Sequence, residues 1–121
     1  MAPLDPSAAK EMIAKYAATR KRLIDETYGI NDTRSIWFSI EQLKNFVNGL
    51  DDNASGIRIY LGAYSNAAAV YTDQTTIVAI QTVDVGNGRH VDTLQDPHCG
   101  GPGNGSDPYN HGLLCPPDTG C

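Results

Sequence analysis

The sequence predicts an α+β domain, and three observations carry that prediction. Apolar residues recur at three- and four-residue steps in the first fifty positions, at every second residue from Gly56, and in no regular period beyond Asp84. Helical stretches therefore precede extended ones, the order expected of two helices packed on a small antiparallel sheet, with an irregular Gly/Pro-rich C-terminal tail behind them. A chain of 121 residues suits one such domain. We expect residues 1–96 to form it and residues 97–121 to dock on it as a tail.

The first helix begins at Asp5-Pro6, where the carboxylate can cap and proline's missing N–H costs nothing. Met12, Ile13, Tyr16, Ala17, Leu23 and Ile24 form its apolar face, and Gly29 closes it in a left-handed cap. Ser35-Ile36-Trp37-Phe38 is a short extended segment after the turn residues Asn31-Asp32. Ser39-Ile-Glu-Gln42 is a capping box that opens a second helix, with Ile40, Leu43, Phe46, Val47 and Leu50 as its buried stripe.

At Gly56 the period changes to two. Ile57, Ile59, Leu61 and Ala63 share one face of the strand Gly56–Tyr64, and Arg58, Tyr60 and Tyr64 the other. Thr75–Val83 carries apolar side chains on both faces, which places it inside the sheet. Residues 84–121 hold eight of the twelve glycines, five of the seven prolines, and every cysteine and histidine. Gly100 to Ser106 cannot continue a helix or an inner strand.

Composition narrows the function. Apolar residues at 40% and charged residues at 19% argue against wholesale disorder. No apolar run approaches the roughly 18 residues of a membrane span. The net charge of −5 repels a phosphate backbone, so a nucleic-acid partner is not expected. With no export segment in view, the expected setting is the cytoplasm, where thiols are normally reduced.

Four segments stand together in order: Ser35-Ile36-Trp37-Phe38-Ser39, Gly56-Ile57-Arg58-Ile59-Tyr60-Leu61-Gly62-Ala63-Tyr64, Thr75-Thr76-Ile77 and Asn110-His111-Gly112-Leu113-Leu114-Cys115-Pro116-Pro117. They resemble a family of small, uncharacterised bacterial proteins that carry a Trp-Phe before a helix, a Gly-Ile-Arg strand and a terminal Asn-His-Gly…Pro-Pro. The resemblance implies a shared fold and a meaningful C-terminal segment. It implies no activity and transfers no catalytic residue.

Several constellations bear on chemistry. His98, Cys99, His111, Cys115 and Cys121 are ligand types that zinc prefers, and His111-x3-Cys115 lets both reach one ion. The same cysteines as reduced thiols, or with Cys115 bridged to Cys121 or Cys99, are the competing readings. His90-Val91-Asp92 with His111 has the residue types of a two-histidine, one-carboxylate iron site, but the chain lacks the strands of the barrel that holds one. Asp84, Asn87, Asp92, Asp96 and Asp107 supply oxygen ligands without the calcium-loop order, so local turns are the simpler reading. Arg58, Tyr60 and Tyr64, with Trp37, combine guanidinium and aromatic groups in the manner of a protein-contact surface. The alternative there is internal packing, with Arg58 on Tyr60 or Tyr60 beneath the tail. No nucleophile elbow or phosphate loop is present. The sequence therefore points to a non-enzymatic interaction or self-assembly module, with a second copy or another protein as partner. The alternative is a small metal-dependent enzyme, or a zinc-stabilised binding domain, built from the C-terminal His, Cys and Asp residues.

Overall fold

The computed structural model describes residues 2–67, 70–93, 109–110 and 112–119. Pro6–Tyr16 is α-helical, Ala17–Lys21 widens into a π turn, and Arg22–Tyr28 is α-helical again. Each junction keeps right-handed helical dihedrals, so the three segments are one helix, α1. Pro6 takes the first turn, although the Asp5 side chain makes no capping bond. Gly29, at φ 65°, ends the helix in the left-handed region that only glycine enters without strain.

Asn31 to Arg34 lead into β1 (Ser35–Trp37). The capping box then forms as its spacing predicts. Ser39 Oγ accepts from the Gln42 amide and Gln42 Oε1 from the Ser39 amide, both at 3.0 Å, and this starts α2 (Ile40–Asn48).

β2 (Ala54–Ala63) and β3 (Thr75–Asp84) pair antiparallel, and β4 (His90–Asp92) adds to the far side of β3. The both-sided apolar pattern of Thr75–Val83 does mark the central strand. β4 was not expected. Gly86-Asn87-Gly88 is the turn that makes it: all three residues have positive φ, and Asp84 Oδ1 accepts from the Gly86 amide at 2.8 Å. β5 (Leu113–Cys115) pairs antiparallel with β1 in a separate two-stranded sheet. The architecture is thus α+β, and the described residues form two helices and two antiparallel sheets of two and three strands.

The interior differs from the expected apolar core. Among the described residues the buried apolar side chains are Ala79, Ile80, Val91 and Leu114. The polar and charged ones are Lys21, Asp32, Thr33, Gln74, Thr76, Gln81, Thr82, Asp92 and Thr93. Burying such groups is costly unless they are hydrogen-bonded; Thr76 Oγ1 and Asp92 Oδ1 have no partner among the described residues, but one network joins distant parts of the chain. The Asp32 carboxylate accepts the Thr75 amide at 2.7 Å and the Thr75 hydroxyl at 2.6 Å. Thr33 Oγ1 donates to the Thr75 carbonyl at 2.6 Å, and Gln74 Nε2 to the Pro116 carbonyl at 2.7 Å. Asp25 anchors the same network to α1, taking the Asp32 amide at 2.5 Å and Lys21 Nζ at 2.6 Å.

Much of the apolar surface expected inside lies outside. On α1, Met12, Ile13 and Leu23 are exposed, and on α2 so are Ile40, Leu43 and Val47. From the α2 stripe only Phe46 and Leu50 are half-buried. The physical reason is aromatic: Phe46 stacks on Tyr109 at 4.9 Å, and Phe38 tilts against Tyr109 at 5.5 Å. The Tyr109 backbone in turn exchanges two hydrogen bonds of 2.9 Å with Ala79. The Phe46 ring thus ties α2 to Tyr109, and Ile40, Leu43 and Val47 are left open.

Candidate functional site

Two features of the three-stranded sheet lie back to back on β2. The first is a polar cluster on the face that carries Arg58 and Tyr60. Antiparallel register places Arg58 opposite Ile80, Tyr60 opposite Val78 and Thr82 opposite Asp92, so these alternate residues share one side of the sheet. The Asp92 side chain is fully buried there. Its Oδ2 accepts from Tyr60 Oη, and Arg58 Nη1 stands 3.7 Å away. Arg58 Nη2 donates to the His90 carbonyl at 2.7 Å.

Between Ala54 and Gly56 the register of β2 slips by one residue, which makes Ser55 the extra residue of a β-bulge. The bulge turns Ser55 Oγ toward Thr82 Oγ1 at 3.0 Å and His90 Nδ1 at 2.8 Å. Ser55, Gly56, Ile57, Arg58, Thr82 and His90 line an open cleft of about 330 Å³.

The second feature is apolar. Ile57, Ile59 and Leu61, on the opposite face of β2, are 40%, 61% and 82% exposed. Among the described residues β2 is also an end strand of its sheet, which runs in the order β2-β3-β4. An exposed apolar row on an end strand is the arrangement that single-chain proteins blunt with charges, prolines or bulges. Along Ile57–Leu61 the only charge is Arg58, and it is turned to the other face.

The sequence-predicted residues distribute as follows. Arg58 and Tyr60 converge on Asp92, and Tyr64 donates to Asn110 Oδ1 at 3.1 Å with its ring 5.5 Å from Tyr71. Trp37 does not join them: it sits on β1, opposite Leu113, and is 47% exposed. Cys115 lies on β5 and is disulfide-bonded. A disulfide sulfur has no thiolate to give a metal, so the bridged reading of Cys115 holds in place of the reduced or zinc-bound one. His98, Cys99, His111 and Cys121 fall outside the described residues.

His90 and Asp92 share a face but turn to different partners, Ser55 and Tyr60. Among the described residues no three His, Cys, Asp or Glu side chains converge in a manner that would hold a metal ion. Ser55 and Thr82 were not singled out from the sequence. A Ser-Gly step at the start of an alternating strand is the one signal of a bulge that could have found Ser55.

Three ionisable groups are displaced from their ordinary range. Asp25 is held below the ordinary 3.8, first by the hydrogen bond from Lys21 and then by the Asp32 amide. The Tyr71 hydroxyl is raised, first by its hydrogen bond to Asp118, and burial raises Tyr16, with Asp32 adding to it. All three belong to contacts that tie chain segments together rather than to the cleft.

No described helix is long and apolar enough to cross a membrane. No family model, curated protein or solved structure matches the chain.

Proposed function

We propose that this protein is a non-enzymatic interaction module whose principal partner is a second copy of itself. One observation carries the reading: the end strand β2 presents Ile57, Ile59 and Leu61 to solvent. Together their exposed fractions equal nearly two whole side chains. Covering them stabilises an assembly by about 3–5 kcal/mol per protomer at roughly 1.5–3 kcal/mol per buried side chain. Trp37 and the α2 residues Ile40, Leu43 and Val47 are exposed as well, and exposed apolar surface beyond scattered single residues is a mark of interaction surfaces.

Arg58, Tyr60 and Tyr64 enter this reading as support rather than as the contact itself, since they hold the other face of the same strand to Asp92 and Asn110. Sedimentation velocity from micromolar to millimolar protein tests the proposal. A sedimentation coefficient that rises with concentration is expected, and a monomer across the whole range refutes self-association.

The alternative, a metal-dependent enzyme or a zinc-stabilised binding domain, rests on His98, Cys99, His111 and Cys121. Elemental analysis of the purified protein discriminates, because either form holds stoichiometric metal. The Cys115 disulfide also supports an oxidising compartment over the cytoplasm expected from the sequence. Trapping thiols at the moment of lysis tests that point.

A further inference from the structure

We infer that two copies join β2 to β2 antiparallel about a two-fold axis at Ile59, making one continuous six-stranded sheet; this rests on the self-association reading above and specifies its geometry. The argument begins with the direction of main-chain groups. In an antiparallel ladder, alternate residues turn N–H and C=O toward the same neighbour. The Tyr64 amide donates to the Gln74 carbonyl at 3.0 Å, so Gly62, Tyr60 and Arg58, in phase with Tyr64, face β3. Ile57, Ile59 and Leu61 therefore turn their main-chain groups away from β3. The far strand confirms the phase: Ala79, opposite Ile59, uses its N–H and C=O on Tyr109, on the side away from β2. The residues with exposed apolar side chains are thus the ones with outward-facing donors and acceptors.

The partner follows from the strand's own sequence. Gly56-Ile57-Arg58-Ile59-Tyr60-Leu61-Gly62 reads nearly the same in both directions about Ile59. An antiparallel copy centred there sets Ile59 against Ile59, Ile57 against Leu61, Arg58 against Tyr60 and Gly56 against Gly62. Apolar meets apolar on one face, a favourable cross-strand pairing, while on the other face Arg58 and Tyr60 keep their bonds to His90 and Asp92 within each copy. The outward main-chain groups meet each other in that register, giving about six N–H···O bonds. A register centred one residue earlier would set Arg58 against Arg58, a like-charge pair that opposes it. Closed two-fold pairing of this kind is isologous and stops at two copies. The paired segment Gly56–Gly62 spans seven residues a side, fewer than the twenty to thirty of a standard interface, so dissociation near 1–100 µM is expected.

The test uses the full chain. Ile59→Cys, oxidised at protein concentrations above 100 µM and mapped by mass spectrometry of its peptides, should give a 59–59 cross-link. A directly opposed pair there has Cα atoms about 5.5 Å apart, within disulfide reach. Ile57→Cys mixed with Leu61→Cys should cross-link to each other, and neither should do so alone. Ile59→Lys, checked by circular dichroism for an unchanged fold, should weaken the dimer at least tenfold in sedimentation. A wild-type monomer at every concentration overturns both this inference and the self-association reading. A wild-type dimer that survives Ile59→Lys without a 59–59 link overturns the β2 pairing alone, and a dimer in which Ile57→Cys or Leu61→Cys cross-links to itself overturns the register.

Discussion

Gly112→Ala probes how the C-terminal segment is held. Gly112 is buried just before β5. A β-carbon there would sit 2.7 Å from Phe38 Cζ and 2.8 Å from Phe38 Cε1, with Ile36 Cγ2 also in collision. Ordinary carbon contacts lie near 3.5–4.0 Å, so the Phe38 ring must retreat by about 1 Å. That ring rests on Tyr109, which stacks on Phe46, and Ile36 lies opposite the fully buried Leu114. Neither neighbour can yield without loosening a second contact. Overpacking of this kind costs about 1–3 kcal/mol, and the stiffer backbone of alanine returns a few tenths. With a urea slope of about 1–3 kcal/mol/M, a loss of about 2 kcal/mol lowers the midpoint by about 1 M. Urea unfolding followed by the fluorescence of Trp37, the single tryptophan, reads this out from β1 itself. Gly62→Ala is the control, because its nearest atoms are 3.6 and 3.8 Å away and the midpoint should move little. A wild-type midpoint for Gly112→Ala would refute the docking of residues 112–115 on β1.

Asp32→Ala should cost at least about 2 kcal/mol in the same assay, since it strands the Thr75 amide and hydroxyl in the interior, and Asp32→Asn should cost less because one acceptor remains. Tyr60→Phe removes the hydroxyl donor from buried Asp92 and should cost about 1–3 kcal/mol by thermal unfolding, with little further loss on adding Asp92→Asn. Asp25 makes the fold acid-sensitive. Its carboxyl is lowered in the folded state by Lys21 and the Asp32 amide, so its contribution is complete above the ordinary 3.8 and disappears as pH falls through the lower folded value. A pH series of melting curves should show that loss in the wild type and not in Asp25→Asn. Thiol titration in denaturant should find one free thiol before reduction and three after, and three before reduction would contradict the Cys115 disulfide.

The local elements were legible because their causes are local. Ser39 and Gln42 are three residues apart and satisfy each other's backbone partners wherever the chain goes, and Gly29 ends α1 because only glycine sits easily at positive φ. The two-residue period of β2 and β3, and the doubled apolar faces of β3, likewise announce strands before any partner is known. Periodicity divides a strand into two faces, however, without saying which one the rest of the chain covers. Asp92, 34 positions beyond Arg58 in the sequence, decides that. Once its carboxylate is enclosed on the Arg58–Tyr60 face, desolvation makes the hydroxyl and guanidinium partners obligatory, and Ile57, Ile59 and Leu61 are left to solvent. The bulge that brings Ser55 to His90, and the burial of Asp32 against Thr75, were illegible for the same reason: each depends on which distant residue arrives opposite, and that is a property of the tertiary structure alone.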